Sequence, residues 1–220
     1  MEEMNYTWIL ASNSPRRKEL LGELMGEMII LAADVDEEIE PGTAPGKIVE
    51  ELAGRKAHAV FDHLYQLPEI IERDPKNKDD YRLMLAKEFV ANKVYAVIGA
   101  DTLVYHKGEV LGKPKDKEDA FRMLKSLSGD THSVFTGVCI LTPEEKLLFH
   151  SETKVTFDEL PDEEILEYIE TGEPMDKAGA YGIQGSGGTF VTGIEGDYTN
   201  VVGFPIGEFC HLIRTGAIKL

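Results

Sequence analysis

The sequence has few cysteines, no long apolar run and a shortage of positive charge. Its two cysteines, Cys139 and Cys210, lie far apart and outside any Cys/His cluster, so neither a disulfide framework nor a zinc site is indicated. The apolar stretches 28–33 and 94–100 are well short of the roughly 18 residues that a membrane span requires. The N-terminal stretch carries glutamates where a signal peptide carries positive charge. We therefore expect a soluble, cytoplasmic protein with no membrane partner.

The charge balance excludes a second class of partner. The chain has 23 Lys and Arg against 40 Asp and Glu, a net charge of −17, so non-specific binding to nucleic acid is not expected. The apolar content of 42% and charged content of 29% are near the globular average, which excludes wholesale disorder and collagen-like or coiled-coil classes. A chain of 220 residues predicts a single domain, residues 1–220.

Strand and helix patterns alternate along the chain and indicate an α/β domain. Predicted strands cover 8–11, 94–98, 133–141, 147–157 and 190–194. Predicted helices begin at Pro15 and after Asp116, and cover 45–67, 162–172 and 205–214. The helix over 162–172 is predicted to turn Ile165, Leu166 and Ile169 inward, and a hairpin is predicted around Lys107 and Gly108. The charged residues 68–92 predict a surface excursion with a short helix over 83–89.

The turn that follows the first strand is a candidate phosphate site. Ser14 and Pro15 predict the start of a helix, and Arg16 and Arg17 lie in its first turn. The N–H groups of such a terminus and two guanidinium groups could bind phosphate together. The alternative is an ordinary exposed basic pair.

Three further charged residues are candidates from their positions alone. Lys56 lies inside the apolar stripe of its helix, where it needs a partner or ligand unless its ammonium group reaches water. Asp101 follows a predicted buried strand and could be a base or a metal ligand, or could form a structural turn with Thr102. Lys113, between a Gly and a Pro, is a plausible phosphate cation, although the stretch 108–113 is not a Walker A loop.

The segment 173–185 is dense in charge and small residues. With no clear periodicity it predicts a ligand-binding loop, or else a merely flexible glycine-rich loop. The six histidines have no metal-ligand spacing.

Taken together, these segments resemble the Maf family of nucleoside triphosphate pyrophosphatases, in the subgroup that acts on dTTP and UTP. The matching stretches are 10–17 (LASNSPRR), 99–102 (GADT), 112–114 (GKP), 127–138, 173–185 (EPMDKAGAYGIQG) and 201–205 (VVGFP). The resemblance implies a single domain with a mixed, elongated central β-sheet flanked by helices, similar to inosine triphosphatase. Residues 61–93 are longer than expected for the family and are interpreted as a surface insertion.

The resemblance also implies roles for individual residues. Asp101 would be the catalytic base, and substrate specificity would rest on Arg16, Thr102 and Gln184. The phosphate-binding residues would be Ser12, Arg17, Lys56, Lys113 and Lys177. The metal ligands would be Glu37, which lies between Asp36 and Glu38, together with Asp101 and Asp176.

The implied reaction converts dTTP or UTP to the monophosphate and pyrophosphate. Its cofactor is expected to be Mg²⁺ or Mn²⁺, because the available ligands are oxygens. The alternative is a nucleotide-sensing regulator of septum formation that binds in the same pocket without turnover. Homodimers are common among similar proteins.

Overall fold

The computed structural model describes residues 6–73 and 95–217, with residues 65–73 described by their backbone alone. The described strands form one mixed sheet. They are β1 (Thr7–Leu10), β2 (Ile29–Ile30), β3 (Tyr95–His106), β4 (Glu109–Leu111), β5 (Thr131–Leu141), β6 (Lys146–Phe157) and β7 (Val191–Glu195). The helices are α1 (Pro15–Met25), α2 (Pro45–Arg73), α3 (Lys117–Leu127), α4 (Asp162–Glu170), α5 (Tyr198–Val202) and α6 (Ile206–Arg214). Three short 3₁₀ turns cover Glu173–Asp176, Ala178–Ala180 and Ser186–Phe190.

The strand order is β2-β1-β3-β5-β6-β7, and β4 also pairs with β3. β1 lies parallel to both β2 and β3, whereas the remaining pairs are antiparallel. The predicted α/β class with a mixed sheet flanked by helices is confirmed. Among the described residues, no helix combines the length and apolar character that crossing a bilayer requires.

A gap in the pairing of β3 positions the site. The first four residues of β3 pair with β1, and residues 104–106 pair with β4. Between these neighbours, residues 99–103 have no partner strand on that side within the described part of the chain, while β5 pairs with them on the other side. Asp101 and Thr102 therefore lie at an open edge in the middle of the sheet. Ligands bind at such points in α/β sheets, where neighbouring connections diverge.

Alternation along β3 directs consecutive side chains to opposite faces of the sheet. Tyr95 and Val97 pack in the apolar cluster beneath α2, whereas Ala96 and Ile98 pack on the other face with residues of α1 and α6. By the same alternation, Asp101 faces α2 and Thr102 faces α1. A third apolar cluster, at the far end of the sheet, joins α3 and α4 to β5 and β6.

Helix α2 approaches the sheet closely because two strand residues have no side chain. A Cβ added at Gly99 would lie 2.2 Å from the Ala53 carbonyl oxygen, and one added at Gly137 would lie 2.3 Å from the Val49 carbonyl oxygen. Glycine at these two positions lets the helix backbone rest on the backbone of β3 and β5.

Several local predictions are confirmed. Ser14 accepts a hydrogen bond from the Arg17 N–H at the start of α1, with Pro15 as first helical residue. Asp116 accepts one from the Asp119 N–H at the start of α3. Lys107 and Gly108 form a two-residue hairpin turn, both with positive φ, as a type I′ turn requires.

Other predictions were wrong. β3 does not end before Asp101 but continues to His106, because β5 pairs with residues 97–105 and β4 pairs with residues 104–106. α2 continues past Pro68 to Arg73, six residues beyond the predicted end. The proline removes one hydrogen bond, but the residues after it (EIIER) include good helix formers. The remainder of the predicted 61–93 insertion, including the short helix over 83–89, lies outside the described residues.

Helix α4 buries a different face from the one predicted. Leu166 was predicted to face inward and is 53% exposed, whereas Ile165, Tyr168 and Ile169 are buried. The spacing i, i+3, i+4 follows one stripe of the helix, and the aromatic ring takes the place that the sequence pattern gave to leucine.

Candidate functional site

A large cleft opens at the gap in the sheet. It has a volume of about 1340 Å³ and is lined by the turn before α1, the segment 32–45, one face of α2, the middle of β3 and the loop around residue 177. Ten of the eleven predicted site residues line it: Ser12, Arg16, Arg17, Glu37, Lys56, Asp101, Thr102, Lys113, Asp176 and Lys177. Residues that are distant in sequence thus converge on one cavity.

Lys56 joins two carboxylates at the centre of the cleft. Its ammonium nitrogen lies 2.5 Å from Asp101 Oδ1 and 2.9 Å from Glu37 Oε1. The hydrogen bond from Lys56 is the largest influence that lowers the pKa of Glu37, and Lys113 lowers it further through charge. The apolar stripe of α2 therefore supplies a partnered lysine, not one that reaches only water. Asp101 Oδ2 has no hydrogen bond to any residue that the structure describes, so it faces the cleft with free lone pairs.

Arg17 is bound mainly by the protein itself. Its Nε donates to the Gly203 carbonyl oxygen at 2.8 Å, Nη1 donates to Ser12 Oγ at 3.2 Å, and Nη2 donates to Thr102 Oγ1 at 2.9 Å. Burial lowers the pKa of Arg17, with a contribution from Arg16, while Asp101 opposes the shift. Arg17 retains one N–H on each terminal nitrogen for a ligand.

A chain of hydroxyl groups fixes the orientation of the Thr102 hydroxyl. Thr136 Oγ1 donates to the Asn200 carbonyl oxygen at 2.9 Å and lies 2.9 Å from Thr102 Oγ1. Since a hydroxyl has one proton, Thr102 must donate to Thr136 and accept from Arg17. The side-chain nitrogen of Asn200 in turn donates to the Val134 carbonyl oxygen and to Thr153 Oγ1, each at 3.0 Å. Only an acceptor lone pair of Thr102 is then left for a ligand in the cleft.

The hydrogen bonds that orient Thr102 include two residues that the sequence did not indicate. Thr136 lay in a matched motif but had no assigned role, and Asn200 was not singled out. Both are fully buried polar residues that are far from Thr102 in sequence. No local pattern predicts them, because their contact depends on β3–β5 pairing and on the position of α5.

The other cations of the cleft differ in how many hydrogen bonds they already make with the described residues. Lys177 donates to the Glu173 carbonyl oxygen at 2.6 Å and to Asp176 Oδ1 at 2.7 Å. That contact with Lys177 is the main cause that lowers the pKa of Asp176. Arg16 and Lys113 make no hydrogen bond or salt bridge with any residue in the described ranges. These two are the cations most available to an anionic ligand.

The three predicted metal ligands do not form a ready-made cluster. Within 6–73 and 95–217, no group of three or more His, Cys, Asp or Glu side chains is arranged to hold a metal ion. Glu37 and Asp101 do meet, through their shared contact with Lys56. Mg²⁺ usually binds one or two carboxylates together with phosphates of the substrate, so this oxygen pair fits such an ion.

Gln184 is the predicted site residue that the structure does not bring into the cleft. Its side chain is exposed, whereas the preceding residues Gly182 and Ile183 line the cavity. The predicted ligand loop 173–185 makes hydrogen bonds within itself and to its neighbours Tyr168 and Ser186.

The family model described as Maf-like protein matches residues 7–216. A dTTP/UTP pyrophosphatase of Geobacillus sp. (strain WCH70) is 48% identical over 206 residues, covering 94% of this chain and 96% of the relative. The protein of the same name from Aquifex aeolicus (strain VF5) is 42% identical, covering 94% and 93%. Among solved structures, the Staphylococcus aureus Ham1 protein has 16% identity and a TM-score of 0.39, covering 69% of this chain and 72% of its own.

Proposed function

Because the chain belongs to the Maf-like protein family, we propose that it is a nucleoside triphosphate pyrophosphatase that hydrolyses dTTP and UTP. The observation that carries the proposal is Asp101, an aspartate at an open edge of the sheet: Lys56 binds one of its oxygens, and no residue within 6–73 and 95–217 hydrogen-bonds to the other. Relatives at 41–48% identity over nearly the whole chain have the name dTTP/UTP pyrophosphatase.

In the proposed reaction, water attacks the α-phosphorus and Asp101 Oδ2 accepts its proton. A bond forms between the water oxygen and the α-phosphorus, the bridging bond to the β-phosphate breaks, and pyrophosphate leaves with the electron pair. Lys56 fixes the carboxylate so that Oδ2 points into the cleft. General acid–base catalysis by a positioned side chain typically raises the reaction rate by about 10²–10⁴-fold.

Cations around the cleft would bind the triphosphate. Arg16 and Lys113 have no hydrogen-bond or salt-bridge partner in the described part of the chain, and Arg17, Lys56 and Lys177 each keep at least one donor beyond their contacts there. The Ser12 hydroxyl completes the set beside the start of α1, where backbone N–H groups and the helix dipole also favour phosphate.

A divalent metal ion, Mg²⁺ or Mn²⁺, is part of the proposal. Glu37 and Asp101 would hold it together with phosphate oxygens of the substrate, and Asp176 lines the same cleft. When bound, it would supply positive charge to the polyphosphate as negative charge develops on the leaving group.

Selection among the nucleobases of the substrate would rest on Thr102, Arg16 and Gln184. The Thr102 hydroxyl has only an acceptor to offer, as its proton goes to Thr136. Thymine and uracil present an N3–H donor, whereas cytosine presents an acceptor at N3. If Thr102 meets N3 of the nucleobase, cytosine would place an acceptor against an acceptor, so we expect the site to favour dTTP and UTP over CTP.

The test is product analysis over a panel of triphosphates with purified protein. We expect dTTP and UTP to give monophosphate and pyrophosphate, and Asp101→Asn to lower kcat by at least about 10²-fold. Asp62→Asn, at an exposed position of α2 outside the cleft, is the matched control and should leave kcat unchanged. Release of inorganic phosphate, or full activity in folded Asp101→Asn, would refute the proposal. Tight binding without turnover would favour a nucleotide sensor.

A further inference from the structure

A loop beside the cleft is built around one carboxylate. We call residues 181–188 the glycine loop; it includes Gly182 and Ile183, which line the cleft, and the exposed Gln184. Glu173 lies eight residues before the start of this loop, in a 3₁₀ turn, and does not line the cleft. Its carboxylate instead points into the glycine loop.

Glu173 accepts hydrogen bonds from the far arm of the loop. Its Oε2 accepts from the Ser186 N–H at 3.0 Å, and its Oε1 accepts from the Gly187 N–H at 3.4 Å. Burial acts to raise the pKa of Glu173, but hydrogen bonds from Ser186, Tyr168 and Gly187 outweigh it and the pKa is lowered. The carboxylate is therefore ionised at neutral pH, the form that accepts most strongly.

Tyr168 links the same carboxylate to the near arm of the loop. Its hydroxyl donates to Glu173 Oε1 at 2.9 Å and accepts from the Gly182 N–H at 3.1 Å. The Glu173–Tyr168 pair thus holds the loop on both sides of Gln184: at Gly182 on the cleft side, and at Ser186 and Gly187 beyond it.

The glycines of the loop are needed for this close approach. An added Cβ at Gly185 would lie 2.2 Å from Glu173 Oε1, and one at Gly187 would lie 2.6 Å from the Tyr168 hydroxyl oxygen. At Gly182 it would lie 3.0 Å from Glu173 Oε1. The loop wraps around the carboxylate at a distance that side chains on these residues would prevent.

We propose that Glu173 is a positioning residue for base selection: through Tyr168 and the glycine loop it fixes where Ile183 and Gln184 meet the pyrimidine of a bound triphosphate. This inference rests on the proposed function, and it adds a residue that contacts no substrate atom. The phosphate-binding residues Arg16 and Lys56 belong to other elements of the cleft. Lys177 donates to the backbone carbonyl oxygen of Glu173, a contact that a change of the Glu173 side chain leaves in place.

The decisive variant is Glu173→Gln, which keeps the shape and removes the charge and one acceptor oxygen. We expect the ratio of kcat/KM for UTP to that for CTP to fall about ten-fold, mainly through KM for UTP, as loss of a charge-assisted hydrogen bond would give. Inhibition by inorganic tripolyphosphate, which has no base, should be unchanged. The matched control is Glu170→Gln, an exposed glutamate of α4 paired with Lys117, which should alter neither quantity.

A second measurement separates loop position from activity. Amide hydrogen exchange at Ser186 and Gly187 should become faster in Glu173→Gln, and in Tyr168→Phe if Glu173→Gln does not fold. Faster exchange with an unchanged ratio of kcat/KM for UTP to that for CTP would overturn the proposal and leave Glu173 a purely structural role. An equal loss of kcat/KM for all triphosphates, together with weaker inhibition by tripolyphosphate, would overturn it as well. Absence of turnover in the wild type would instead refute the proposed function, while the exchange result would still report on the loop.

Discussion

Replacing Gly99 by alanine should separate α2 from the sheet and disable the site without touching a cleft residue. The new Cβ would lie 2.2 Å from the Ala53 carbonyl oxygen and 2.7 Å from the Ala57 nitrogen. These are backbone atoms, which cannot rotate away, so the helix must retreat by about 1 Å to reach ordinary contact distance. Lys56 lies between Ala53 and Ala57 in sequence, and Asp101 is two residues beyond Gly99 on the same face of β3.

The retreat of α2 would change the contact between Lys56 and Asp101, the proposed catalytic base. Lys56 Nζ lies 2.5 Å from Asp101 Oδ1, and a retreat of this size would take the pair beyond hydrogen-bond range unless the lysine side chain follows. Overpacking a core costs about 1–3 kcal/mol of stability, and a misplacement of about 1 Å can cost on the order of 10²-fold in rate. We expect Gly99→Ala to lower kcat/KM for dTTP by about 10–10²-fold and the free energy of unfolding by about 1–3 kcal/mol.

The assay pairs dTTP turnover with urea unfolding, and a glycine of the same helix provides the control. A Cβ at Gly54 meets no described atom within 4 Å, so Gly54→Ala should raise stability by about 0.5–1 kcal/mol through helix propensity and leave activity unchanged. Wild-type activity and stability in Gly99→Ala would refute the reasoning, as would an equal loss in Gly54→Ala.

Three further predictions follow from other parts of the site and core. Gln184→Glu should change the order of kcat/KM among dTTP, UTP, CTP and GTP, while Lys113→Ala, which removes a cation with no hydrogen bond or salt bridge to any described residue, should lower all four by a similar factor. The reverse pattern would mean that the phosphate and nucleobase ends of the substrate are assigned the wrong way round. EDTA should abolish turnover and Mg²⁺ or Mn²⁺ should restore it, whereas a rate indifferent to EDTA would exclude the proposed ion. Burial lowers the pKa of His132 from 6.5 to about 4, so between these pH values the unfolded chain binds more protons and stability falls as pH falls. In urea unfolding experiments the free energy of unfolding should fall by about 3 kcal/mol on going down to pH 4. If the pH dependence of stability is the same in His132→Phe as in the wild type, His132 is not its cause.

The sequence alone predicts the features that depend on residues close together in the chain. The start of α1 at Ser14 and Pro15, the hairpin turn at Lys107 and the cap of α3 each depend on residues within four positions of one another. The polar residues of the cleft were identified through motifs, and the structure brings ten of them to one cavity.

Long-range pairing explains what the sequence could not predict. The extension of β3 through Asp101 depends on its pairing with Gly137, and the partners of Arg17 lie 85 and 186 residues away. The exposure of Gln184 depends on how the glycine loop is held by Glu173, a contact that neither periodicity nor composition encodes. Such contacts are set by topology, so a single sequence contains no local signal for them.

The hydrogen bond from Arg17 to Gly203 has a consequence for the order in which the chain becomes functional. It closes a loop of 186 residues, and loop closure of that length is among the slowest and least local events in folding. A growing chain can form β1 and α1 early, yet the guanidinium of Arg17 lacks its carbonyl partner until residue 203 has been synthesised. Nucleotide turnover should therefore appear late in refolding, after most helical structure has returned, and so report on completion of the whole fold.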